Sequence, residues 1–160
     1  MSLLYIIDAY NVINHPSFKT EKKLSSIQHS LLDFIQKHKL TGSKKNKIIL
    51  VFDGYPPQGE VFFQDGQVQF IFSRLISADQ KIEMLITESA DRKNIVVVTD
   101  DRQVQFMAKS LHAQVCPVSG FSAKSNNRVS VVSQEDSAED KVSFVNIQKI
   151  NAELKEKWLR

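Results

Sequence analysis

Three short apolar runs in this chain each stop at an aspartate, and that repetition limits the fold more than any other feature. The runs are Leu3-Leu4-Tyr5-Ile6-Ile7 before Asp8, Ile48 to Phe52 before Asp53, and Ile95-Val96-Val97-Val98 before Thr99-Asp100-Asp101. Each is too short for an ordinary helix. Unbroken apolarity over so few residues suits a strand buried on both faces, as in a parallel sheet. The third run is all β-branched, which favours a strand further. Val68 to Phe72 and Ala113 to Pro117 are two more candidate strands.

Between these runs the apolar spacing changes to that of a helix. From about Lys22 to His38, Leu24, Ile27, Leu31, Phe34 and Ile35 recur at helical intervals. Ser77-Ala78-Asp79-Gln80 opens a second helix, and Ser77 with Gln80 forms a capping-box pattern. Ile82, Leu85, Ile86 and Ser89 make its inward face. Asp79 falls in the same row as Ile82 and Ile86, so the register predicts that it points at the sheet edge. A third helix carries Val104, Met107, Ala108 and Leu111 on one side. The order is strand, helix, strand, strand, helix, strand, helix, strand. That alternation predicts an α/β domain with a mainly parallel central sheet and helices on both faces.

The composition permits such a domain. The chain has 160 residues, 42% hydrophobic and 24% charged, enough to bury a core without disulfides. Cys116 is the only cysteine, so neither a disulfide framework nor a cysteine-based zinc site is expected. No apolar run reaches the ~20 residues of a membrane span. The apolar start, Met1 to Asp8, is too short for a signal peptide and lacks a basic lead. A reducing, cytoplasmic setting without membrane contact is the expectation. The net charge of +3 is compatible with a polyanionic partner. After Phe121 the chain turns rich in Ser, Asn, Glu and Asp. Residues 1–121 are therefore read as the domain proper, and 122–160 as a linker and C-terminal helix extending it. Val129 to Val132 is a brief strand candidate within this tail. Ile147, Ile150, Leu154 and Trp158 have helical spacing.

Ligands of open α/β sheets bind beyond the carboxyl ends of the strands. Asp8, Asp53, Asp100 and Asp101 all stand there, with Asp79 in a first helical turn. Carboxylates gathered so closely repel one another, and a cation relieves the repulsion. An all-oxygen donor set suits Mg²⁺ or Mn²⁺. Such a centre handles phosphodiesters without a nucleophilic side chain. The chain has no nucleophile elbow, Walker loop or dinucleotide glycine motif.

Four segments then resemble, in order, the elements of a known family. Asp8-Ala9-Tyr10-Asn11-Val12-Ile13 is similar to the "D-G-Y-N-V-I" opening of the NYN domain, a branch of the PIN-like nuclease superfamily. Val51-Phe52-Asp53-Gly54 resembles its second-strand element. Ser77-Ala78-Asp79-Gln80-Lys81-Ile82-Glu83 resembles its "T-A-D-x-x-I-E". Val97-Val98-Thr99-Asp100-Asp101-Arg102-Gln103-Val104-Gln105 resembles "V-V-T-S-D-R-x-x-Q". The subgroup most similar is that of the bacterial YacP-like proteins. The resemblance spans about Leu3 to Pro117. It implies a PIN-like three-layer sandwich and a divalent-metal-dependent endoribonuclease, in a subgroup with members acting in mRNA decay at the ribosome. It also implies the roles of Asp8, Asp79 and Asp101 as catalytic metal acids, with Asn11 orienting Asp8 or meeting a phosphate. Asp100 stands where the subgroup has serine, and Ala9 replaces a glycine.

Plainer roles compete at several of these positions. Asp100 and Asp101 precede a helix and suit an N-cap. Asp79 suits the helix dipole. Asp53 serves equally as a metal ligand and as a turn residue before Gly54. Arg74, Lys81 and Arg102 are the expected RNA phosphate contacts, with Lys124 and Arg128 also in range. Tyr10 and Tyr55 are candidates for base stacking or for wall packing. Lys37, Lys39, Lys44, Lys45 and Lys47 precede a strand, so they belong at the end of the sheet away from the acids. They suit a solvated face or a secondary contact with a large RNA. The histidines show no metal-like spacing. An inactive RNA- or ribosome-binding module is the alternative function. Receiver and aspartyl-phosphatase readings fail because Asp8 is followed by Ala9-Tyr10 rather than by a second acid.

Overall fold

A computed structural model of the chain describes residues 2–19, 26–59, 61, 62, 64 and 66–124. These belong to the first of two compact units, Met1–Asn126 and Asn127–Arg160. The predicted strand at Val129–Val132, the C-terminal helix and Arg128 lie outside the described residues, as does Leu24.

Five strands form one sheet: β1 (Leu4–Asp8), β2 (Lys47–Phe52), β3 (Val68–Phe72), β4 (Ile95–Val98) and β5 (Gln114–Cys116). Their spatial order is β3-β2-β1-β4-β5, and every pair is parallel. The predicted mainly parallel sheet is thus wholly parallel. The helices are α1 (Ala9–Ile13), α2 (Ile27–Lys37), α3 (Ala78–Glu88) and α4 (Arg102–Ser110), with a 3₁₀ turn at Arg92–Asn94. Residues 118–124 are helical as well. Helical structure therefore continues past Phe121, where the sequence reading expected loop.

Side-chain alternation along each strand divides the core in two. Tyr5, Ile7, Leu50, Phe52, Val96 and Val98 pack with α1, α2, Val118 and Phe121. Ile6, Val51, Ile95 and Val97 pack with Ile82 and Ile86 of α3 and with Val104 and Ala108 of α4. The result is a three-layer α/β sandwich.

Helix boundaries follow from caps. Ser26 is extended and its hydroxyl accepts from the His29 amide, so α2 begins at Ile27 rather than near Lys22. The Ser77–Gln80 capping box is present in both directions, at 3.1 Å each. Alternate-residue reasoning missed α1, a five-residue helix directly after β1. One and a half turns leave no room for a periodic signal. Ala9 opens α1, is fully buried, and is not among the residues with positive φ. Alanine therefore fits this position without backbone strain.

The winding direction across the sheet reverses at β1. The path from β1 to β2 runs one way across the sheet, and the path from β3 to β4 returns to the other side of β1. This topological switch point opens a crevice between the carboxyl ends of β1 and β4, where ligands of such sheets bind.

Candidate active site

Strand parity decides which way the acids face. Leu4, Ile6 and Asp8 alternate toward the α3–α4 side, as do Val51 of β2 with Asp53 just beyond it, and Val97 of β4 with Thr99 just beyond it. Asp8 and Thr99 therefore meet across the switch point. The Thr99 hydroxyl donates to Asp8 Oδ2 at 3.0 Å. Asn11 Nδ2 donates to the same oxygen at 2.8 Å. Asp8 Oδ1 receives no hydrogen bond among the described residues. Asp8 also occupies the N-cap position of α1, yet makes no side-chain capping bond there. Its carboxylate is held for the crevice instead.

Asp8 is buried, and its surroundings disfavour the charge. Burial raises its pKa from 3.8 to about 6, against the lowering hydrogen bond from Thr99; the carboxylates of Asp79, Asp101 and Asp53 push it further up. Asp79 is also raised, by partial desolvation and then by Asp101 and Asp53. Asp8, Asp79, Asp101 and Asp53 thus share one electrostatic neighbourhood. Asp79 itself is exposed rather than inward-facing, because the buried row of α3 is Ala78, Ile82 and Ile86. A first-turn residue beyond the sheet edge has nothing above it to cover it.

Asp101 is the N-cap of α4, and its Oδ1 accepts from the amides of Gln103 at 2.9 Å and Val104 at 3.3 Å. Its Oδ2 receives no hydrogen bond among the described residues, and its charge reaches both Asp8 and Asp79. Asp53 Oδ1 accepts from the Ser73 hydroxyl at 3.2 Å and the Ala78 amide at 3.3 Å, tying β2 to the start of α3. Gly54 follows with φ +87°, a left-handed backbone that glycine adopts without strain. Asp100 stands apart from the cluster. Its Oδ1 accepts from the Val118 amide at 2.9 Å, and its own amide donates to Asn11 Oδ1 at 3.1 Å.

The expected RNA contacts ring this cluster unevenly. Arg74 is exposed, with its guanidinium 5.9 Å from the Tyr55 ring centroid. Lys81 is half-buried and Arg102 exposed, each in the first turn of its helix. Tyr10 is 38% exposed and meets Phe52 edge-on. Lys124 is turned to the opposite face, where Nζ donates to the Tyr5 hydroxyl at 3.3 Å. Tyr5 packs with the α1–α2 side, so the sequence placement of Lys124 near the acids does not hold.

Thr99 and Ser73 are the residues that sequence reasoning passed over. Thr99 sits inside a quoted motif, but parity carried forward from Val97 brings it to Asp8 only once β4 is known to lie beside β1. Its amide-side partner is Asp101, whose N–H donates to Thr99 Oγ1 at 3.1 Å. Gln105 Nε2 donates to the Thr99 carbonyl at 2.8 Å, which accounts for the motif glutamine.

Among the described residues, no three His, Cys, Asp or Glu side chains stand in mutual metal-holding geometry. The donor chemistry still fits Mg²⁺ or Mn²⁺. Magnesium keeps several waters and takes only one or two carboxylates directly. Asp8 offers an open oxygen in a field that disfavours its bare charge.

The family model for the YacP-like NYN domain matches residues 5–160. The chain belongs to this family. Two crystal structures of Rae1 (YacP) from Bacillus subtilis are similar to it in fold. One is 22% identical with a TM-score of 0.58, covering 100% of this chain and 95% of that one. The other, a tryptophan-to-leucine mutant, is 23% identical with a TM-score of 0.57, covering 89% and 90%. No curated protein matches the chain. Membership of the YacP-like NYN family supports a nuclease-type role in RNA processing. No helix of the described residues is long and apolar enough to cross a membrane.

Proposed function

We propose that this YacP-like chain is a divalent-metal-dependent endoribonuclease that hydrolyses RNA phosphodiester bonds. The observation that carries the reading is the Asp8 carboxylate. It is buried at the switch point, braced on one oxygen, open on the other, and raised to about 6 by burial and by three neighbouring acids.

Asp8, Asp79 and Asp101 are the residues we assign to Mg²⁺ or Mn²⁺, with Asp53 in support. When bound, the cation would supply the positive charge that holds a scissile phosphate and acidifies the attacking water. Asn11 and Thr99 keep the Asp8 carboxylate in one rotamer. Asp101 caps α4 through Oδ1, which in this reading leaves Oδ2 for the cation. Arg74, Lys81 and Arg102 are assigned to the phosphates flanking the cut. Asp100 is left out of the ligand set because it is not among the acids whose charge reaches Asp8, and its Oδ1 accepts from the Val118 amide.

The cytoplasm and ribosome-linked mRNA decay are the setting we propose. The exposed lysines 37, 39, 44, 45 and 47 support it, since they offer a second basic surface at the far end of the sheet. Cleavage of single-stranded and structured RNA with Mn²⁺, compared between wild type and Asp8→Asn, tests the activity. Equal cleavage by both, or none with any divalent metal, overturns it. An inactive RNA- or ribosome-binding module is the second reading, favoured by the exposure of Asp79. RNA affinity without metal-dependent turnover would be its signature.

A further inference from the structure

On the α1 side of Asp8, an open cavity of about 330 Å³ is lined by Tyr10, Asn11, Asn14, His15, Pro16 and Asp100. Ligand sites run from ~300 to ~1,000 Å³, so this one suits a group of nucleoside size. It adjoins the crevice directly. Asn11 braces Asp8 at 2.8 Å and forms part of the cavity wall at the same time.

The lining chemistry narrows the occupant. Among the described residues no lysine or arginine lines the cavity, and Asp100 contributes a carboxylate. A phosphate is therefore disfavoured there, and a neutral polar ring is favoured. Tyr10 rests edge-on against Phe52 with ring centroids 6.0 Å apart, so its exposed part is a supported stacking surface. The Ser17 amide donates to His15 Nδ1 at 3.2 Å. The Ser17 hydroxyl lies 2.6 Å from the same nitrogen and donates to Ser122 Oγ at 2.8 Å, so His15 is anchored through Nδ1, and its Nε2 has no partner among the described residues. Asn14 is exposed, and its side chain has no partner among the described residues. Asp100 Oδ1 is used by Val118, which leaves Oδ2 as an acceptor.

We propose that this cavity binds one nucleobase of a single-stranded RNA, next to the phosphate handled at Asp8. Tyr10 stacks on the base, and Asn14, His15 and Asp100 read its edge. Unstacked bases held on an aromatic ring and hydrogen-bonded along their edges are how single-stranded RNA is recognised. The carboxylate of Asp100 accepts from an exocyclic amino group, so adenine, cytosine and guanine are favoured over uracil, whose edge offers only the ring N3–H as donor. The proposal rests on the nuclease reading and adds the position and identity of a base.

The test is the cleavage profile of the full chain on a randomised single-stranded RNA with Mn²⁺. Wild type should favour an amino-bearing base over uracil by about 10-fold or more at one position beside the cut, the range for a hydrogen bond to a charged group. Asp100→Asn keeps an acceptor for Val118 and turns the other atom into a donor, so it should shift the preference toward uracil. Asn14→Ala should raise KM about 3- to 10-fold with kcat little changed. A flat wild-type profile, or one unmoved by both substitutions, overturns the proposal. If wild type cleaves nothing, the nuclease reading fails, and fluorescence anisotropy with labelled oligoadenylate and oligouridylate decides the cavity. Tighter oligoadenylate binding that Asp100→Asn abolishes supports it, and equal affinities overturn it.

Discussion

Asp8 is the residue at which stability and function oppose each other. Its folded pKa of about 6 lies above the ordinary 3.8. The folded state therefore binds the proton more tightly than the unfolded chain does. Ionising Asp8 costs nothing below about pH 4, progressively more up to about pH 6, and a full roughly 3 kcal/mol above it. Asp8→Asn should accordingly raise Tm at pH 7.5 in EDTA while abolishing cleavage. An unchanged or lower Tm would show that the carboxylate is not under charge strain. A cation at the site should expel the remaining proton. Mg²⁺ binding at pH 6 should release protons, as calorimetry in buffers of different ionisation enthalpy would reveal, and at pH 8 it should release almost none. Equal release at both pH values would place the cation elsewhere. The repulsion among the acids was expected from the sequence, but the burial of Asp8, the larger cause of its shift, was not. Asn11 was readable there as the partner of Asp8, but Thr99 was not, because its role depends on two strands far apart in the chain lying side by side.

Two helix starts frame the site, and they differ in how much local sequence reveals. The capping box of α3 involves only Ser77 and Gln80 and follows from spacing alone. The position of Asp79 on that helix does not. Its register with Ile82 and Ile86 pointed inward, whereas Ala78 takes the buried place and leaves Asp79 exposed at the rim. Asp101 combines a cap with its proposed ligand role, and substitution can separate the two. Asp101→Ser keeps a capping oxygen, so stability should fall by less than about 0.5 kcal/mol while cleavage is lost. Asp101→Ala should lose cleavage and about 1–2 kcal/mol of stability as well. Thermal unfolding alongside an RNA cleavage assay checks both. Retained activity in Asp101→Ser would reduce Asp101 to a cap.

At the scale of the whole domain, the two ends of the parallel sheet are chemically distinct. The acids gather at the carboxyl ends of β1, β2 and β4, while Lys44, Lys45 and Lys47 precede or open β2 at the other end. Replacing Lys44 and Lys45 with glutamate should leave cleavage of a short oligonucleotide unchanged and weaken co-sedimentation with ribosomes, more so at low salt. A matching loss of oligonucleotide cleavage would mean that the lysines serve the active site. The sequence by itself determined the strands, most of the helices and the acids at the strand ends, because each is written in local periodicity and run length. It also carried the family, through four ordered motifs. Only the tertiary structure decided which acids share a crevice. Strand order puts β4 beside β1, and side-chain parity turns Asp8, Asp53 and Thr99 to one face. Asp100, one residue from Asp101, is thereby left on the other side, bound to Val118. Proximity between residues so far apart in the chain arises from packing, which no local window contains.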